Sequence, residues 1–161
     1  MKSRITDSDI EFMRKAIEIS QISIEEGGGP FGAVIVQGGI IVSTGNNKVT
    51  KNNDPTAHAE IEAIRDACKK LGKFKLSNCT IYTSCEPCPM CLGAIYWAGI
   101  KRVFYGNNRE DAKVIDFDDS FIYDELNLKN EDKSIEMINI LHEEAIVAFE
   151  KWSKLEDKVK Y

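Results

Sequence analysis

Between residues 8 and 26, Ile10, Met13, Ile17, Ser20 and Ile24 recur at three or four residues. That is the period of a helix with one face turned inward. Ser8 and Glu11, three apart, have the spacing of a capping box at its start. Gly27-Gly28-Gly29-Pro30 stops it. The period then changes. Phe31 to Val36 is an unbroken apolar run, the pattern of a buried strand, and Gly38-Gly39 predicts a tight hairpin returning along Ile40 to Thr44. A polar loop, Gly45 to Asn53, leads to Asp54-Pro55, which reads as the N-cap and first residue of a second helix. That helix lines up Ile61, Ile64, Ala67, Cys68 and Leu71 and ends at Gly72, with His58 and Glu60 in its first turns. Thr80 to Thr83 is a short strand; Pro87 or Pro89 opens a helix with Cys88 and Cys91 at its start and Gly99 at its end; Val103 to Tyr105 is another strand. Asp116 to Tyr123 reads as a loop entering a short helix, Ile135 to Leu141 as a strand patterned by Ile135, Met137 and Ile140, and Glu143 to Lys154 as a helix. Strands alternating with helices imply an α/β fold with right-handed crossovers onto one sheet.

Composition narrows this. A chain of 161 residues, 43% hydrophobic and 29% charged, is one ordinary globular domain spanning 1–161. No apolar run approaches the ~20 residues that span a membrane. Acidic residues arrive by Asp7, so the start lacks the apolar core of a signal peptide and a cytoplasmic location is expected. Five cysteines, an odd number in such a chain, point to metal binding or catalysis rather than disulfides. A net charge of −5 disfavours nucleic acid as a partner.

The chemistry concentrates in two stretches, His58-Ala59-Glu60 and Cys85-Glu86-Pro87-Cys88-Pro89-Met90-Cys91. Two cysteines three apart at a helix start let both sulfurs meet one ion, and the helix N-terminus favours the anionic form. Two thiolates and an imidazole suit tetrahedral zinc, expected here as one ion per chain on His58, Cys88 and Cys91. Three protein ligands leave a fourth position for a catalytic water, whose pKa zinc lowers to about 7. Glu60 is placed to carry protons. Two residues apart, His58 and Glu60 lie about 200° apart on a regular helix, so both approach one site only if it lies off the helix end. A structural reading competes, in which Cys85, Cys68, Cys79 or His142 completes the shell and nothing is catalysed. Of these, Cys85 is the easiest to mistake for a ligand.

His-x-Glu followed by Pro-Cys-x-x-Cys is the signature of the zinc nucleobase deaminases, and the chain resembles the cytidine deaminase-like superfamily. The resemblance implies a three-layer α/β/α fold around a mixed five-stranded sheet. The stretches Gly29 to Val36, Asn53 to Glu60, Tyr82 to Ala98 and Phe117 to Tyr123 are similar to those of the bacterial guanine deaminases within it, the first three being shared in part with tRNA adenosine deaminases. It implies a free purine base as partner, converted from guanine to xanthine and ammonia. Asp119 would contact the base or act as a second proton carrier. A C-terminal segment, about 143–161, would swap between the subunits of a homodimer and bring Tyr161 over the active site. Asn47, eleven residues before His58, stands at the spacing of a base-binding asparagine. Ala59 would also contact the base, and Phe31, Trp97 and Tyr161 are flat side chains that could wall a purine. A guanosine deaminase and a tRNA adenosine deaminase are the near alternatives. The former would need room for a ribose and the latter a basic groove.

Overall fold

The computed structural model describes residues 5–161; the expectation drawn from the start of the chain rests partly on residues outside that range. The elements run α1 (Asp7–Glu25), β1 (Gly32–Gln37), β2 (Ile40–Asn46), α2 (Val49–Asn52), α3 (Ala59–Leu71), β3 (Cys79–Cys85), α4 (Pro89–Trp97), β4 (Arg102–Asn107), α5 (Arg109–Val114), α6 (Ser120–Asn127), a 3-10 turn (Asn130–Asp132) and α7 (His142–Ser153). They fall into two compact units, one ending at Asp119 and the other Ser120–Tyr161.

In the first unit the strands lie in the order β2-β1-β3-β4. β1 pairs antiparallel with β2 and β3, and β3 pairs parallel with β4 through the α4 crossover. The β1–β2 hairpin turns on Gly38 and Gly39, both at positive φ (58° and 80°), a conformation that costs glycine little. Alternation along the strands sorts side chains to two faces. Ala33, Ile35 and Ile81 join Ala59, Ala63, Ala67 and Ile95 in the core beneath α3 and α4. Val34, Val36 and Tyr82 pack with Ala16, Phe12 and Ile19 beneath α1. Helices therefore cover both faces, and the α/β/α class holds.

The sheet has four strands among the described residues, not five. Residues 135–141 form no ladder, and Leu141 sits at φ 54°. Their apolar positions do not alternate strictly, and an extended segment becomes a strand only when a neighbour takes up its N–H and C=O groups.

The first helix also differs from the pattern reading. Its capping box is Thr6 with Asp9, not Ser8 with Glu11. Its inward residues are Asp9, Ala16 and Ser23, while Ile10, Ile17 and Ile24 are exposed. The cause is close approach. A Cβ on Gly32 would lie 2.4 Å from the Ala16 carbonyl oxygen. At Ala16 only a small side chain fits between helix and strand, while Phe12, Met13 and Ile19 pack partly buried against the same layer. Asp9 enters the same layer because it is paired: Tyr82 donates to Oδ1 at 2.6 Å and the Thr6 hydroxyl to Oδ2 at 2.7 Å.

The second unit contains α6, the 3-10 turn and α7. It contains no buried residue. Phe121, Leu126, Ile138, Ile140 and Phe149 are all exposed.

Candidate functional site

Asp54 and Pro55 do not open α3. Asp54 Oδ1 accepts from the Thr56 backbone N–H and hydroxyl at 2.8 and 2.7 Å, closing a separate turn. The helix starts at Ala59, and His58 is its N-cap with extended backbone (φ −72°, ψ 157°). This resolves the angular conflict between His58 and Glu60. The imidazole leaves the chain before the helix begins, whereas Glu60 leaves from its first turn. α4 repeats the arrangement, with Cys88 as N-cap, Pro89 as first residue and Cys91 in the first turn. Two helix N-termini, whose dipoles favour negative charge, thus carry the ligands, and the Cys91 N–H bonds the Cys88 sulfur.

β2 crosses close beneath α3. A Cβ on Gly45 would lie 2.1 Å from the Ala59 carbonyl oxygen. The start of α3 is thereby seated against the sheet.

His58 Nδ1 lies 3.6 Å from Cys88 Sγ and 3.5 Å from Cys91 Sγ. A tetrahedral ion with ordinary Zn–S and Zn–N bond lengths requires N···S edges of about 3.6 Å. The donor atoms therefore fit zinc. No other His, Cys, Asp or Glu joins this group among the described residues. Cys85 instead reaches the Asn108 carbonyl at 3.8 Å, and Cys68 the Phe74 carbonyl at 4.0 Å. His142 is the first residue of α7, in the other unit. The three-ligand set is that of a site with an open position.

The thiols share their protons unevenly. The Cys91 thiol, whose one proton is shared between Cys88 and Glu60 Oε2, brings Cys88 down to about 4 with help from His58. Cys91, bonded to Cys88 and buried, is pushed well up. The hydrogen bond to Cys88 raises His58. Metal binding takes both sulfurs as thiolates and releases the Cys91 proton.

Glu60 is 6% exposed, and burial raises its carboxyl above the ordinary range. Oε2 accepts from the Cys91 thiol at 3.3 Å; Oε1 accepts from the Thr83 hydroxyl at 3.0 Å. Nothing in the periodicity of the chain distinguishes Thr83 from any other strand residue, and sequence reasoning passed over it. Only the placement of β3 opposite the start of α3 brings it to the carboxylate.

Asn47 is buried, and its side-chain oxygen accepts from the backbone N–H groups of Val49 (3.2 Å) and Gly29 (3.4 Å). With the oxygen held, the amide nitrogen is the remaining donor. Its neighbour Asn46 points elsewhere, donating to Glu26 at 2.9 Å. Ala59 is fully buried at the start of α3. Phe31 packs on the core and meets the edge of Phe117 at 4.9 Å between ring centres. Asp119 closes the first unit; burial raises its carboxyl, Arg109 opposes that rise and the nearby Cys88 adds to it. The segment leading to it is tied back by Glu86, whose carboxylate accepts from the Arg109 N–H at 3.3 Å. Trp97 ends α4 and is 66% exposed, its carbonyl accepting from Lys75 at 3.0 Å. Tyr161 ends the second unit, 76% exposed.

Comparison with known proteins agrees with this chemistry. Over 151 residues the chain is 49% identical to the guanine deaminase of Bacillus subtilis, covering 93% of this chain and 97% of that protein. It superposes on the crystal structure of a Bacillus subtilis guanine deaminase with a TM-score of 0.92 at 47% identity, covering 98% of this chain and 99% of the other. A tRNA-specific adenosine deaminase from Buchnera aphidicola subsp. Baizongia pistaciae is 45% identical over 100 residues, 62% of each chain. Residues 6–107 match the cytidine and deoxycytidylate deaminase zinc-binding region, and the chain belongs to the zinc-dependent deaminase family that this region defines.

Proposed function

We infer that this protein is a zinc-dependent guanine deaminase that hydrolyses guanine to xanthine and ammonia. The carrying observation is a three-ligand zinc site with a buried carboxylate, Glu60, against one of its ligands. The choice of ring is supported by the similarity to a guanine deaminase along 93% of the chain, well beyond the zinc-binding region. A structural zinc module would need a fourth protein ligand, and none joins the group among the described residues.

His58, Cys88 and Cys91 hold the zinc, which when bound supplies the Lewis acidity that makes water a nucleophile near neutral pH. Glu60 takes a proton from the attacking water on Oε2 and gives it to N3 of guanine. Oxygen bonds to C2, which becomes tetrahedral. Glu60 then takes the proton of the new C2 hydroxyl and passes it to the amino group; the C2–N bond breaks as the C2=O of xanthine forms, and ammonia leaves. No electrons change hands. Asp119 accepts hydrogen bonds from N1–H and the C2 amino group, a donor pair that adenine lacks. The Asn47 amide nitrogen donates to acceptors on the far side of the base, and Phe31 offers a ring face to the purine. Backbone N–H groups at the starts of α3 and α4 stabilise developing negative charge.

The working molecule in this reading is a homodimer that exchanges its C-terminal segments. The second unit lacks a core of its own and exposes much apolar surface, as a segment covered by another copy would. Exchange would begin near Ser120, where the second unit starts, earlier than residue 143 as the resemblance implies, and would carry Tyr161 to the partner's site. Trp97, exposed at the end of α4, offers a further flat wall to the purine. The cysteines are free thiols, and two must serve as thiolates, which fits a reducing cytoplasm.

The test is ammonia release by zinc-loaded protein from guanine, guanosine, adenine, cytosine and cytidine at matched concentrations. Guanine is expected to exceed every other substrate by at least about a hundredfold, the scale of losing paired hydrogen bonds in a buried site. Absence of activity on guanine refutes the reading.

A further inference from the structure

We propose that Thr83 is a positioning residue that holds one oxygen of the Glu60 carboxylate so that the other faces the metal pocket. The inference rests on the deaminase reading above.

Thr83 lies at the middle of the sheet. Its neighbours across the ladders are Ala33 on β1 and Tyr105 on β4, so its backbone is fixed from both sides. The residue is 1% exposed. It shares the face of Ile81, the face beneath α3, because side chains alternate along the strand. A β-branched side chain has few χ1 choices, so its hydroxyl is aimed by the backbone. Thr83 Oγ1 stands 3.0 Å from Glu60 Oε1 and 3.0 Å from the Cys85 carbonyl oxygen. With one proton and two acceptors at equal distance, the hydroxyl donates to both in a bifurcated bond, which fixes its place between them.

The carboxylate has two side-chain donors here, and they are not equivalent. The Cys91 thiol donates to Oε2, but a thiol that becomes a zinc ligand has no proton to donate. The Thr83 bond to Oε1 does not depend on the metal. It is therefore the side-chain anchor that remains in the loaded enzyme, and it leaves Oε2 open to a water at the ligand cluster. The backbone N–H of Glu60 also bonds the carboxylate, and without the hydroxyl that bond alone would restrain a terminal torsion whose rotation is broad. A misaimed carboxylate costs rate in the chemical step rather than substrate binding, because Thr83 is placed against Glu60 and not against the base.

The experiment compares Thr83→Val, which keeps shape and branching but loses the hydroxyl, with Thr83→Ser, which keeps the hydroxyl. Thr83→Ala serves if the valine variant does not fold. The hydroxyl-free variant is expected to lose about ten- to a hundredfold in kcat, the usual penalty for a misplaced proton carrier, with KM within about threefold of the parent. Thr83→Ser is expected to recover kcat to within about threefold of the parent. Zinc content should stay equal in all variants. Crystal structures of the zinc-loaded variants should show the Glu60 carboxylate turned in Thr83→Val and unmoved in Thr83→Ser. The proposal is overturned if Thr83→Val keeps parental kcat, if serine fails to restore it, or if Glu60 stays in place without the hydroxyl. If the parent does not act on guanine, the substrate assignment fails. The crystallographic comparison still decides the role of Thr83.

Discussion

At the residue scale, two carboxylates carry different work and should fail differently. Glu60 is buried beside the ligands and holds no position in the ligand group. Glu60→Ala should cut kcat by about a thousandfold or more, within the range for loss of a proton carrier. Zinc, measured by atomic absorption, should remain near one per chain. Asp119 is less buried, and in the proposed reading it accepts from the base. Asp119→Asn should raise KM for guanine about tenfold or more, the cost of placing a donor against a donor pair. A fall in kcat alone would assign Asp119 to proton transfer instead. Steady-state kinetics on both variants separates these outcomes.

At the scale of elements, α1 is tied to the sheet by a polar bond within an apolar layer. Burial would push Asp9 upward, but the hydrogen bonds from Tyr82 and Thr6 outweigh it and leave the carboxyl below its ordinary value. The same burial, with the bond to Asp9, raises Tyr82. A group with a lowered folded pKa stabilises the protein fully above its unfolded pKa, about 3.9 for Asp. That stabilisation is lost as the pH falls through the folded value. Asp9→Asn should therefore cost about 2 kcal/mol at neutral pH, the scale of a hydrogen bond to a charged group. The difference from the parent should shrink below about pH 4. Urea denaturation of both proteins at pH 7 and pH 3 would check both sign and size. A constant difference would mean that Asp9 acts by shape, not charge.

At the scale of the whole molecule, the chain divides at Asp119 and leaves a second unit without a buried residue. If that unit serves as an exchanged cover, light scattering should give twice the chain mass of 18.1 kDa. Deleting the last four residues, Tyr161 included, should lower guanine turnover about tenfold or more, as loss of an active-site lid does. Circular dichroism and the melting temperature should change little, because those residues are exposed or nearly so. Unchanged kinetics would refute a role for the tail at the site.

The metal and the reaction type were legible along the chain. A helix start, a proline and a three-residue spacing are local features that bring the two thiolates together; that His58, 30 residues from Cys88, joins them was legible through the resemblance to the deaminase signature. The β1–β2 hairpin was legible locally, since two glycines in sequence impose their turn. Other properties were decided only by tertiary packing. The most buried positions of α1 are Asp9, Ala16 and Ser23 rather than Ile10, Ile17 and Ile24, because β1 comes too close at Ala16 for a large side chain; Met13 keeps its inward contact. The expected fifth strand did not form in this chain, because a strand exists only with a neighbour to share its hydrogen bonds. The start of α3 moved from Pro55 to Ala59 because Asp54 spends its side chain on a turn of its own. Thr83 was silent in the sequence, since its meeting with Glu60, 23 residues away, depends on how a strand packs against a helix. The sequence by itself named the residues of the ion site through a motif; the folded structure decided that they meet and which way the Glu60 carboxylate faces, because both depend on long-range contacts that no local pattern records.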